Sequence, residues 1–459
     1  MTNTSEILKD LIKTDIQSKR PMYNGVEYYR GDNDIKGYDF RSYYVDAIKY
    51  TDYNKSNTKI VNNFQKKLVD QKVGYIVGKP MTIKSDDAEL IEKIEELLGE
   101  KKADILAEWV KGASNKAWES LHVYINEFGE FDYTVIPAQE IIFITDTSYE
   151  QNIVQVIRYY KIEWVKQDKT EESIRVEIWD KEKVTFYQED EDEFFLIPEY
   201  TMGIEANPRF HWTTLNTATG VIEQASWGKV PFIKLRNNSE ETTDLKPIKD
   251  YIDAMDIVSS GFINDLKDIQ LAIWVLRGYE GTDLGEFMLN LQKFKAIKLS
   301  TDDNASAEPK TMDIPKEARV AILAWLEEKI YDIGQGVNTA RLSGGSITNV
   351  VIKAHYVGLD LKSNLLITKM KRALSEFMWF AVEYINDRDN KTYNYKDIKF
   401  VFNRSMIFNE LELVEMINKS SILLSKKTQL ANHPLVDDVE AELQLIEDEL
   451  DDIGFKEGE

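Results

Sequence analysis

Apolar positions recur with a helical period at both ends of the chain and with a period of two between them, which predicts helical regions flanking a sheet-forming one. Over 57–80, Ile60, Val61, Phe64 and Leu68 share a face while Lys59, Lys66, Lys67 and Lys72 fall elsewhere, predicting an amphipathic helix with its lysines outward. Tyr75-Ile76-Val77 then reads as a short strand stopped by Gly78 and Pro80. A second helix is expected over 103–117. The period then drops to two: Leu121, Val123 and Ile125, a turn at Gly129, and Phe131, Tyr133 and Val135 predict a β-hairpin. Alternating runs over 153–162, 174–179, 184–187 and 194–197 make 118–235 mainly sheet. The acidic run 189–193 between two of them reads as a solvated loop.

The second half returns to helices. Asp244 and Pro247 open a stripe of Ile248, Tyr251, Ile252, Met255, Phe262, Leu266, Ile269 and Ile273, predicting a helix over 244–277 with Asp250, Asp253, Asp256, Asp265 and Asp268 on its other faces. At ~1.5 Å per residue it would reach roughly 45 Å. A short unit, 278–315, follows, with an amphipathic turn around Phe287, Leu291 and Phe294 and a strand at 296–299. Pro315 opens a helix to Ile333 carrying Glu327, Glu328 and Asp332, ended by Gly334 and Gly336. The loop 335–348, QGVNTARLSGGSIT, leads into a long helix over 349–385. Its stripe is Val351, Leu365, Leu366, Met370, Leu374, Phe377 and Ile385, with Lys353, Lys362, Lys369, Lys371 and Arg372 elsewhere. A strand over 398–402 and helices near 409–424 and 436–453 finish the pattern, and 1–56 reads as a polar arm rich in tyrosine. The class is α+β.

Composition narrows the possibilities. At 459 residues and 43% hydrophobic content, two or three domains with cores of their own are expected. A net charge of −23 argues against a protein that coats nucleic acid by neutralising phosphates. No cysteine is present, so disulfides and thiolate metal sites are excluded. The first residues lack an apolar signal core and no stretch is long enough to span a bilayer, so a soluble protein without a signal peptide is expected.

Candidate chemistry is sparse. Gly74 to Lys79 nearly spells a phosphate loop, but its glycines are one residue too close and Pro80 stands where a hydroxyl must reach Mg²⁺. Asp32 to Gly37 resembles a calcium loop with Lys36 at a ligand position. Gly334-Gln-Gly336 follows a helix rather than a strand, and Thr339 takes the last glycine's place in a dinucleotide fingerprint. His122, His211, His355 and His433 are scattered without a metal-binding spacing. No enzyme, metal or cofactor is expected.

Several segments in collinear order resemble tailed-bacteriophage portal proteins, in particular those of long-tailed phages of Gram-positive hosts. They are the run from Val69 to Pro80, Pro231 to Asn238, Val350 to Lys353 with Leu359 to Lys362, and Leu424 to Thr428 with Pro434 to Asp438. The resemblance implies an α+β portal fold: an arm (1–56), an α/β wing (57–243), a stem helix (244–277), a clip (278–315), a second stem helix (316–334), a tunnel loop (335–348), a long wing helix and return strand (349–404), and a helical crown (405–459). It further implies a ring of about twelve copies at one capsid vertex of the virion, assembled in the host cytoplasm. Double-stranded DNA would pass through it during packaging and ejection. The implied partners are the terminase large subunit, the major capsid and scaffolding proteins and a head-tail adaptor, with no membrane.

Within that frame the loop residues Asn338, Thr339, Arg341, Leu342, Ser343, Gly344, Gly345 and Ser346 would face DNA. Asn338, Thr339, Ser343 and Ser346 can bond phosphate oxygens without net charge, Arg341 adds one cation, and the glycines permit movement. Asp265, Asp268, Glu327 and Glu328 are the acidic candidates for the channel wall, where repulsion would keep DNA from being trapped. Without the resemblance, the loop reads as an ordinary connector. Two other classes compete: a virion structural or scaffold-interacting protein that forms no channel, and a packaging ATPase, which the missing phosphate loop argues against.

Overall fold

The computed structural model describes residues 2–166, 169–201, 204, 206–216, 221–268, 273–277, 306–310, 315–342, 348–405, 410–436 and 439–456. Helices and sheets are mixed, the α+β class read from the sequence. Among the described residues the α-helices are α1 (Thr2–Ser18), α2 (Arg20–Arg30), α3 (Phe64–Val77), α4 (Ala88–Leu98), α5 (Lys101–Lys116), α6 (Lys249–Asp268), α7 (Lys316–Ile333), α8 (Asn349–Asp389), α9 (Glu410–Lys419), α10 (Lys426–Ala431) and α11 (Val439–Lys456). The chain divides into two compact units, one from 1–29, 65–247 and 331–459, the other from 30–64 and 248–330.

The larger unit is built on antiparallel sheets. Glu193–Leu196, Lys183–Asp190, Lys169–Trp179, Ile153–Lys166 and Ile141–Thr145 pair in that order, with Arg209–Phe210 added to Lys183–Asp190. Of the acidic run 189–193, expected as a loop, Glu189, Asp190 and Glu193 are in the paired strands, and only Glu191 and Asp192, both left-handed (φ 47° and 63°), make the two-residue turn. Phe232–Arg236, Trp118–Ile125 and Phe131–Ile136 form a second sheet, and the expected hairpin is its latter pair. That sheet packs with α3, α4, α5 and α8 around one core, where Ile94, Trp109, Met370 and Ala381 are fully buried. Ile94 and Met370 each contribute about 1.5–3 kcal/mol by leaving water. The start of the chain, expected as part of a polar arm, is helical and packs into the fold. Leu8 and Ile12 on α1 bury against Ile157, Tyr159, Val176 and Phe194 of the large sheet, since their i,i+4 spacing gives the polar helix one apolar edge.

Three other expectations are corrected in this unit. The helix foreseen over 57–80 begins only at Phe64, and Tyr75-Ile76-Val77 form its last turn rather than a strand. Lys72 is buried (1% exposed) instead of facing solvent, while Lys66 and Lys67 are exposed. On α8, Val351 and Leu365 lie outside the core stripe, at 44% and 64% exposure. The long helix itself runs over Asn349–Asp389, matching the expected span and extending it by one turn, to Asn390 in the left-handed region. Toward the end, α9 stops at Lys419 and a short α10 intervenes before α11.

The smaller unit pairs α6 with α7. Arg319 is ion-paired with Asp265 and lies over the Phe262 ring, and the Tyr251 and Trp325 rings are 6.3 Å apart. The expected helix over 244–277 is shorter. It starts at Lys249 and reaches Asp268, while Ile273–Arg277 is a strand paired antiparallel with Ser306–Lys310. The apolar run Ile273 to Leu276 fits either period, so periodicity alone could not assign it. The strand expected at 296–299 lies outside the described residues. Ahead of these helices in sequence, Ser42–Val45 and Ile48–Thr51 form a hairpin with Tyr43 stacked on Tyr50.

Residues 56–62 are extended and lie antiparallel along α6. Side chains four residues apart on the helix receive alternate backbone N–H groups: Asn62 donates to Asp256 (2.7 Å), Ile60 to Ser260 (2.8 Å), Thr58 to Asn264 (2.7 Å) and Ser56 to Asp268 (2.9 Å). Asn264 also donates back to the Thr58 carbonyl, and Asn33 donates to the second oxygen of Asp256. Four helical residues rise ~6.0 Å and two extended ones ~6.6 Å, so the two periods nearly match and drift apart by only about 2 Å over the four rungs. Asp256 and Ser260 are fully buried. Burial raises the Asp256 carboxyl above its ordinary range, opposed by the Asn33 and Asn62 donors.

Candidate functional site

The loop after α7 has a fixed base and an exposed end. Gly336 N–H bonds back to Tyr331 O (2.9 Å) across Gln335, which takes the left-handed conformation (φ 55°), so the helix closes on a glutamine flanked by glycines. A Cβ on Gly336 would lie 2.0 Å from the Leu68 side chain, which explains the glycine. Val337 is 2% exposed, and the Gln71 side chain brackets it, accepting from its N–H (3.1 Å) and donating to its carbonyl (2.7 Å). Asn338 O accepts from Arg341 N–H as Thr339–Leu342 forms a single 3₁₀ turn, with Thr339 and Arg341 exposed. Ser343, Gly344, Gly345 and Ser346 lie outside the described residues. The chain re-enters at Thr348, where Glu412 of α9 accepts from the first amide of α8, Asn349 N–H (2.6 Å), a favourable place for a carboxylate at a helix start.

Beneath this base sits a buried ionic cluster that sequence reading missed. Lys72 donates to Asn237 (2.6 Å) and pairs with Asp244 (3.1 Å), and Lys362 pairs with the same Asp244 oxygen (3.1 Å) and donates to the Gly334 carbonyl (3.1 Å). Asn237 donates to the other Asp244 oxygen (2.9 Å). Burial works to raise the Asp244 carboxyl, but Lys362 and Lys72 hold it down to about 2. Burial draws the Lys72 ammonium down to about 8, against the attraction of Asp244. The cluster ties α3, the turn before α6 and α8 to Gly334, the residue just before the loop.

The acidic candidates lie in helices. Asp265 is ion-paired to Arg319, and Asp268 accepts from Ser56 N–H, so both serve contacts inside the chain. Glu328 on α7 is exposed and Glu327 partly so. The i,i+4 recurrence of Asp256, Ser260, Asn264 and Asp268, four oxygen acceptors on one stripe, was a signal in the sequence for a chain lying alongside.

The nucleotide and metal readings meet the structure at named atoms. Gly74 to Val77 are helical and Gly78 N–H bonds to Gly74 O (3.0 Å), so these amides turn into the helix rather than toward a phosphate. Lys36 pairs with Asp32 (2.6 Å), filling with a cation the place a calcium ligand would take. His122 is stacked on Phe232 and bonded to the Pro231 carbonyl, and burial pushes it down to about 3. Among the described residues, no group of three His, Asp or Glu side chains is placed to hold a metal, and no helix is long and apolar enough to cross a membrane.

Residues 8–454 match the family model described as "Phage portal protein, SPP1 Gp6-like". The chain belongs to the phage portal protein family. The portal protein of Bacillus phage SPP1 is 33% identical over 450 residues, covering 97% of this chain and 86% of the relative. That of Clostridium phage phiCD119 is 31% identical over 451 residues, covering 95% and 94%. A solved structure described as "Neck of empty GTA particle computed with C6 symmetry" aligns over 81% of this portal chain and 90% of its own at 10% identity and a TM-score of 0.44. The resemblance to portals of phages with Gram-positive hosts, read from short collinear segments, therefore holds across the portal chain.

Proposed function

We propose that this chain is the subunit of a closed portal ring of about twelve copies at one capsid vertex, through which double-stranded DNA passes during packaging and ejection. The observation that carries the reading is the family match across residues 8–454. In this reading α6 and α7 form the stem, 278–315 the clip and 335–348 the tunnel loop. The terminase large subunit and a head-tail adaptor dock on the ring, major capsid and scaffolding proteins surround it, and the ring itself performs no catalysis. The loop's build supports its part. Gly334 to Val337 are held by Lys362, Leu68 and Gln71, so the exposed Arg341 turn can move against DNA without disturbing its anchor. The formal charge of −23 per copy also supports a sliding contact, because phosphate neutralisation would deepen traps along the path.

Mass photometry of the purified protein tests the ring. Closed particles of about twelve chain masses are expected, with monomers as the assembly precursor. A protein that remains monomeric or dimeric at micromolar concentration overturns the reading. A phosphate-release assay on the same particles is expected to show no ATP turnover.

A further inference from the structure

The first half of α8 is apolar on two faces. Ile352, Tyr356, Leu359 and Leu366 are buried in the core. On the opposite face Val350, Ala354, Val357, Leu361 and Leu365 follow one another at helical spacing. Here Val350 is 73% exposed, Val357 54%, Leu361 57% and Leu365 64%. Spread along about 22 Å of helix, this is a continuous apolar stripe opposite the one that faces the core. Exposed Lys353, Lys371 and Arg372 border it. A second apolar face lies on α7, where Ala318, Ala321, Ile322 and Trp325 are exposed, Ile322 at 46% and Trp325 at 51%. Its exposed polar neighbours are acidic, Glu317, Glu328 and Asp332, while the half-buried Lys329 follows Trp325 on the same stripe.

We propose that the α8 stripe of one copy docks against the α7 face of a second copy. The inference rests on the ring reading and names the surfaces that would build it. Charge selects the pairing. Stripe against stripe would bring Lys353 and Lys371 together with their own counterparts, Arg372 being ion-paired with Glu376 of its own helix, whereas the α7 face carries carboxylates. The two surfaces differ, so each copy presents one to each neighbour. Such a head-to-tail contact propagates beyond a dimer, and it ends in a ring when its rotation closes.

The cysteine-free chain makes thiol pairing a direct test. Ala321→Cys is combined in turn with Val357→Cys, Leu361→Cys or Leu365→Cys in the full-length protein, and oxidised particles are run on non-reducing gels. At least one pair is expected to give a ladder of covalent oligomers rising to ring size, while each single variant runs as a monomer. A covalent dimer from Leu361→Cys alone means that like faces meet and overturns the proposal. So does a thiol pair that closes within one chain, or rings that stay intact with no covalent oligomer from any pair. Absence of rings in the unaltered protein overturns the ring reading itself, and the proposal with it. In parallel, Leu361→Glu is expected to lower ring yield at least roughly tenfold with the melting temperature of the monomer unchanged, as befits an exposed anchor of an interface. Undiminished ring formation by that variant overturns the proposal.

Discussion

At the scale of single residues, Asp244 is a consequential side chain in the larger unit, because the buried Lys72 ammonium and the half-buried Lys362 ammonium both depend on it. Replacing it with Ala leaves Lys72 and Lys362 without their carboxylate, and a loss of about 3–5 kcal/mol in denaturant unfolding is expected. Lys72→Met is expected to cost less, since Asp244 keeps Lys362 at 3.1 Å. The pH dependence has a defined sign. The Asp244 carboxyl is depressed from 3.8 to about 2, so its stabilisation is complete above 3.8 and is lost as pH falls toward 2. Lys72 is depressed from 10.5 to about 8, so between those values the unfolded chain holds a proton the folded chain has released. That group alone therefore favours the fold more as pH rises across the window. Chemical melts from pH 2 to 10 on the parent and on Asp244→Asn check both, the acid-side slope being expected to shrink in the variant. None of this was legible in the sequence. Lys72 falls on the polar face of α3 by spacing, and its partners lie at 237, 244 and 362, positions that no local pattern connects.

At the scale of elements, the hairpin from Trp118 to Ile136, the span of α7 and the span of α8 were legible, because each carries a long run of one period. The stretch 56–62 was not. Ile60, Val61 and Phe64 are spaced as on a helix, yet the backbone donors of this stretch are taken by α6, and that satisfaction overrides local periodicity. Ser260→Ala removes one rung and strands the Ile60 amide, for which a loss of about 1–3 kcal/mol is expected. Hydrogen exchange reads it directly: the amides of Thr58, Ile60 and Asn62 are expected to exchange faster in the variant, Ile60 most, and unchanged protection would mean the rung contributes nothing. The candidate loop separates in the same way into a legible and an illegible part. Its small polar composition marked it as a loop, but the Gln71 bracket on Val337 came from a helix far away in sequence. Deleting 341–345 is expected to leave ring formation intact, since the anchor ends at Val337, while DNA content of complemented heads falls. Arg341→Ala is expected to have a milder effect, since one exposed cation per copy is screened within ~8 Å at physiological salt. Full heads from the deletion variant would reduce the loop to a connector.

At the scale of the whole molecule, the α+β class and the family could be read from the sequence, whereas the partition into units could not. The smaller unit is assembled from two stretches, 30–64 and 248–330, joined in part by backbone donors meeting side-chain acceptors, a contact that no hydrophobic period in the earlier stretch announces. The four rungs connect residues 194 to 212 positions apart. During synthesis at roughly 5–20 residues per second, the extended stretch emerges about 10–40 s before the helix that will receive it. For that interval its amides have only water to bond, and its hairpin, with Tyr44 at 69% exposure even in the finished fold, stands without the rest of its unit. The acceptors then arrive from the ribosome in the order Asp256, Ser260, Asn264, Asp268, so the partner of Asn62 is available first and that of Ser56 last, against the direction in which the waiting stretch was made.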